Sequence, residues 1–296
     1  MNVNNIRLLK KSRVADELIF NDSYIANVGY FSLNLGYYHP EGRILFSPTK
    51  KWPSVLAIHG ARSDYTKLNT ILYFLQKEGV SSLSFNLSGH NLASGINLEE
   101  TSLANNLNES YRFLNILDRE NIAVMGYSLG GALALKLAAS NLNINKIILF
   151  CPAVYSDSAY LENFGPKFKK EISIPFGFLN TDSFDYLSTY HGDIMLIIGQ
   201  YDGVASIHSG GILGTSAGIF KINGKEQYSA IPAEVIEKIK NSLPNKQLNI
   251  LQIAGCDHGL STWFRKKPLV AKLVANHISK FLNGEAGLQG QFLVID

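Results

Sequence analysis

From Ser54 onward, short continuous apolar runs alternate with segments whose apolar residues recur every three or four positions. Ser54 to His59, Val80 to Asn86, Asn121 to Gly126, Lys146 to Phe150, Asp193 to Gly199 and Gln247 to Ile253 are the runs. Between them, Leu68, Ile71, Leu72 and Leu75 share one helical face, as do Leu103, Leu107, Tyr111, Leu114 and Leu117. Leu129 to Ser140 is rich in Ala and Leu, Ile231 to Asn241 has a helical period, and Val270 to Phe281 gives a last amphipathic helix. Strands that are apolar on both faces and alternate with helices predict a parallel sheet covered on each side.

Before Ser54 the pattern differs. Tyr30 to Tyr38 and Arg43 to Phe46 flank the turn signal His39-Pro40-Glu41-Gly42, which predicts an antiparallel hairpin leading into the sheet. The expected organisation is one α/β domain over residues 1–296, with two interruptions. Residues 153–190 carry Tyr155, Tyr160, Phe164, Phe168, Phe176, Phe178, Phe184, Tyr186 and Tyr190 between two strands. Residues 203–230 are rich in Gly and Ser and show no period. Both should leave the carboxyl ends of strands, where open α/β sheets hold their sites. The tail after Asn283 reads as loose, with an edge strand at Phe292 to Ile295 as the alternative.

Composition narrows the function classes. Charged residues make up 17% of the chain, below the ~25% usual for soluble domains, so much of it should be buried. The net charge of +3 comes from scattered Lys and Arg, which argues against a nucleic-acid partner. Two cysteines, Cys151 and Cys256, are too few and too far apart for a disulfide framework. The charged stretch Met1 to Phe20 does not read as a secretory signal, and no apolar run is long enough for a transmembrane helix. The expected location is cytoplasmic. Zinc-binding H-E-x-x-H, dinucleotide G-x-G-x-x-G and P-loop patterns are missing from the sequence, so neither a metal nor a cofactor is expected.

Gly126-Tyr127-Ser128-Leu129-Gly130 matches G-x-S-x-G, and so does Gly214-Thr215-Ser216-Ala217-Gly218. Context separates them. Ser128 directly follows an expected strand and directly precedes an expected helix, the strand–turn–helix setting the motif requires. Ser216 has no such neighbours. The chain thereby resembles the α/β-hydrolase fold superfamily from about Gly29 to Leu282, loosely its lysophospholipase and serine-aminopeptidase-like branch. The resemblance implies the chain order nucleophile, acid, histidine. Asp202, after the strand ending at Gly199, and His258, after the strand ending at Ile253, stand where the acid and histidine belong.

His59-Gly60 resembles the superfamily's oxyanion-loop signature, which implies backbone donors at Ala61 and Leu129. His59 is expected to prop that loop by hydrogen bonding and, with Arg62 and Tyr127, to border the substrate. Residues 153–190 fall where these proteins carry a lid. Asn86-Leu87-Ser88-Gly89-His90-Asn91 resembles the Gly-His loop of the superfamily but lacks its usual acidic and basic residues. The expected activity is a serine hydrolase acting on a carboxylic ester with a small or medium acyl group. A thioesterase, acyltransferase or peptidase would use the same residues. A catalytically silent ligand-binding or effector protein is the alternative from another class.

Overall fold

The computed structural model describes residues 6–14, 27–36, 38–49, 52–117, 122–206, 218–243, 247–285 and 290–296. The chain enters through β1 (Ile6–Leu9), β2 (Asn27–Leu33) and β3 (Glu41–Phe46), paired antiparallel in series. It then alternates through β4 (Val55–Ile58), α1 (Asn69–Lys77), β5 (Ser82–Phe85), α2 (Leu103–Leu114), β6 (Ile122–Tyr127), α3 (Leu129–Ala139) and β7 (Ile144–Phe150). Two short helices, α4 (Pro166–Ile172) and α5 (Asp182–Thr189), lead to β8 (Asp193–Gly199). A hairpin of β9 (Gly218–Ile222) and β10 (Lys225–Ser229) precedes α6 (Ala233–Ser242) and β11 (Leu248–Ile253). The chain closes with α7 (Leu260–Lys266), α8 (Pro268–Asn283) and β12 (Phe292–Ile295).

Among the described residues the main sheet runs β1-β2-β3-β5-β4-β6-β7-β8-β11-β12, parallel from β5 to β12. Continuous apolar strands explain this: Leu56, Ile58, Val124, Ile148, Leu196 and Ile197 are fully buried, so both faces must be covered. The helices fall into two packed groups. α1, α7 and α8 pack together, and α2, α3, α5 and α6 pack in series.

Strand order reverses between β4 and β6: from β4 the chain steps outward to β5, then returns to the other side of β4. A parallel sheet has its crevice at such a switch point, beyond the carboxyl ends of the strands. Ser128 and His59 lie there, one residue beyond β6 and β4 respectively.

The structure alters the sequence expectations in places. Residues 203–230, expected without period, contain the β9–β10 hairpin, which turns on Asn223-Gly224 with both residues at positive φ. That hairpin is a separate two-stranded sheet. Of the two readings of the tail, the edge strand holds: Phe292 to Ile295 pairs parallel with β11. β1, α4, α5 and α7 had no expected counterpart. The second motif's Ser216 lies outside the described residues. Most rings of 153–190 pack inward. Tyr160, Phe164, Phe168, Phe178, Phe184 and Tyr190 are buried in the core, and among these nine rings Phe176 is the one that is largely exposed.

Candidate active site

Ser128 sits at φ 52°, ψ −115°, a backbone conformation that an L-residue adopts only when its surroundings impose it. Three hydrogen bonds impose it here. Ser128 N donates to Phe150 O at 2.9 Å, and Ser128 O accepts from Gly131 N at 2.8 Å and Ala153 N at 2.9 Å. Glycines make the turn possible. A Cβ on Gly126 would collide with the Gly130 carbonyl, and one on Gly130 with the Ile58 carbonyl. Ser128 is thus lifted to the N-terminus of α3, where the helix amides favour negative charge.

The His258 imidazole bridges the other two groups. Ser128 Oγ donates to His258 Nε2 at 3.1 Å, and His258 Nδ1 donates to Asp202 Oδ2 at 2.7 Å. Asp202 is 1% exposed, and its second oxygen, Oδ1, accepts the Ile231 N–H at 2.8 Å. The sheet brings the three together: their strands β6, β8 and β11 all point the same way, and each residue follows its strand by a few positions.

Ile231 follows the β9–β10 hairpin. The segment is stitched to the acid loop by Gly203 N donating to Ile231 O at 3.1 Å. Buried Ser229 adds two bonds: its hydroxyl donates to Ile231 O at 2.6 Å and accepts from Val204 N at 3.1 Å. The returning end of the insertion therefore holds the acid. A backbone donor leaves no mark in a sequence, and sequence reasoning missed it.

The loop after β4 passes beside the serine; a Cβ on Gly60 would lie 3.3 Å from Ser128 Cβ. Ala61 is exposed in this loop, and Leu129 is the first residue of α3. His59, expected at the substrate, is 1% exposed. Its Nδ1 donates to Gly60 O at 2.7 Å and its Nε2 accepts from Leu87 N at 3.0 Å. Burial, helped by nearby His90, pushes its pKa down to about 3, so it is a neutral strut. Tyr127 is also buried; its ring packs 5.8 Å from the His258 ring and its hydroxyl donates to the His258 carbonyl. Neither residue borders open space, and both brace the loops around Ser128. Arg62 is exposed, at φ 51°.

The loop has a second brace. Arg62 N donates to His90 Nδ1 at 3.1 Å, and His90 Nε2 donates to Asn106 Oδ1 at 2.9 Å. Asn106 in turn reaches Ser88 and buried Glu109, which also accepts from Tyr38 at 2.6 Å. Burial lowers the His90 pKa and raises that of Glu109. Phe164 of the 153–190 segment lies edge-on to His90 at 5.0 Å.

Cys151 Sγ, Asp202 and His258 bring ligand-type atoms within 4.8 Å of one another. Burial and the Asp202 carboxylate push the Cys151 thiol well above its ordinary range, which disfavours the thiolate a metal would need. Asp202 and His258 already share a hydrogen bond. Cys151 reads as packing behind the acid.

The chain is similar in structure to several solved proteins. A serine hydrolase from the polyaromatic-hydrocarbon-degrading bacterium Cycloclasticus zankles aligns at a TM-score of 0.57 and 13% identity, over 88% of this chain and 100% of its own. Mouse alpha/beta hydrolase domain-containing protein 10 aligns at 0.55 and 15%, over 88% and 99%. The chain has the α/β-hydrolase fold. The thioesterase domain from the curacin biosynthetic pathway is also similar to this chain in fold, at 0.55 and 14%, over 83% and 100%. The family model described as serine aminopeptidase, S33, matches residues 49–180, a little under half of the chain. No curated protein matches it in sequence. Among the described residues, no helix is long and apolar enough to cross a membrane.

Proposed function

We propose that the chain is a serine hydrolase that cleaves a carboxylic ester of small or medium acyl size through an acyl-enzyme. The unbroken relay from Ser128 Oγ through His258 to Asp202, at 3.1 Å and 2.7 Å, carries this reading. A serine hydroxyl is a weak nucleophile at neutral pH, so it needs a base within hydrogen-bond reach. His258 Nε2 takes the proton as Ser128 Oγ attacks the carbonyl, then returns it to the leaving alcohol. Asp202 holds Nδ1 protonated, so Nε2 stays free to act, and stabilises the imidazolium that forms. The amides of Leu129 and Ala61 receive the oxyanion; losing one such donor costs about 3 kcal/mol of barrier. Water repeats the sequence on the acyl-enzyme. No step needs a cofactor.

The thioesterase likeness supports a second substrate class on the same relay, since a thioester passes through the same tetrahedral intermediate. The test is labelling with a fluorescent fluorophosphonate. Intact protein and Ser216→Ala should label, and Ser128→Ala should not. Failure of folded intact protein to label would overturn the hydrolase reading and favour a silent binding protein. A screen of p-nitrophenyl esters against acyl-CoAs then separates ester from thioester specificity.

A further inference from the structure

A cleft of about 700 Å³ opens between the β9–β10 hairpin and α7. Its lining adjoins Asp202 and His258 along the chain but includes neither of them, nor Ser128. Tyr201 precedes Asp202, Asp257 and Gly259 bracket His258, and the last lining residue of the hairpin, Gln227, stands four residues before Ile231. A cleft of this volume holds a ligand of drug size.

Its chemistry is donor-rich. Lys225 comes from the hairpin and Lys266 from the opposite wall, and neither forms an ion pair among the described residues. The side chains of Asn223, Gln227 and Thr262 add further donors. The one carboxylate, Asp257, has Oδ1 occupied by the Gly259 N–H at 2.8 Å. Trp263 supplies an aromatic wall, with Lys267 Nζ 4.5 Å from the centre of its ring. Ammonium groups on facing walls, with neutral donors between them, suit a group of more than one negative charge. The ring beside them suits an aromatic body.

We propose that this cleft binds a phosphate-bearing aromatic ligand, at a site distinct from the serine. The test uses phenyl phosphate as probe, with phenol and inorganic phosphate as controls. It is made in the Ser128→Ala chain, so that its outcome does not depend on the hydrolase reading. Trp52→Phe removes the other of the two tryptophans and leaves Trp263 as the reporter.

Phenyl phosphate should change the Trp263 fluorescence saturably, and more tightly than either control. In Lys225→Glu/Lys266→Glu the half-saturating concentration should rise about tenfold, as two reversed charges on facing walls imply, although both are exposed. Lys170→Glu, on α4, should leave it unchanged. Calorimetric titration repeats the measurement without relying on fluorescence, and circular dichroism checks the fold of each variant. Absence of saturable binding by both methods overturns the proposal. So does equal affinity in the double variant, an equal loss in Lys170→Glu, or phenol binding as tightly as phenyl phosphate.

Discussion

Ser128 stands at the middle of the sheet, where β6 gives way to α3; Asp202 stands nearer its far side, past β8, where an insertion leaves and returns. On the serine side the geometry is set by the core. Strand, helix and the loop after β4 meet at Gly126 and Gly130 with no room for a methyl group. On the acid side it is set by a few hydrogen bonds among Gly203, Val204, Ser229 and Ile231. One half of the relay shares its support with the fold, and the other half has support of its own. Substitutions should therefore separate the halves.

The largest effect is expected at Gly130. Gly130→Ala drives a Cβ into backbone, which cannot swing away, and should cost about 3 kcal/mol or more. Urea denaturation should show stability and fluorophosphonate labelling falling together. Labelling that survives in a fully stable variant would break the claim that this side rests on the core.

Next comes acid. His59 is held neutral with its pKa pushed down to about 3, while in the unfolded chain it returns to about 6.5. Between those values the unfolded state binds the extra proton, so stability must fall as pH falls. From pH 7 to pH 5 this one group accounts for about 2 kcal/mol. The drop, read by urea denaturation at both pH values, should be smaller by that amount in His59→Gln. An unchanged drop would mean that His59 is not the buried neutral strut described.

His90→Leu frees the Arg62 N–H and should lower kcat/KM about tenfold through kcat, with KM little changed, if the loop it braces meets the transition state. A rise in KM alone would place the brace at substrate binding instead. The smallest effect is expected on the acid side. Ser229→Ala should lower kcat several-fold while costing only about 1 kcal/mol of stability, and Ser229→Thr should restore most of it. A loss of stability without a loss of kcat would erase the contrast between the two sides.

Much of this architecture is legible in the sequence because burial on both faces writes continuous apolar strands, and α/β alternation then restricts topology. The Ser128 turn is legible because glycine spacing and flanking elements appear together. The β9–β10 hairpin was legible too: Asn223-Gly224 is a strong hairpin turn, hidden by the Gly- and Ser-rich stretch before it. β1 has only four residues and pairs across the segment 10–26, so no local period marks it. His59 and Tyr127 were expected to touch substrate because motif position says nothing about which way a side chain faces; the packing turns both inward. The braces at His90 and Ile231 depend on backbone amides, which every residue but proline carries.

That last point bears on how this molecule can be altered by descent or by design. The acid is gripped by a main-chain group, and the grip asks nothing of the side chain at position 231. The outer part of the arm, from Ile219 to Tyr228, can therefore accept new side chains while its base stays as it is. Exchanging the arm as a cassette would remake the proposed cleft and leave the turn at Ser128 in its inherited setting.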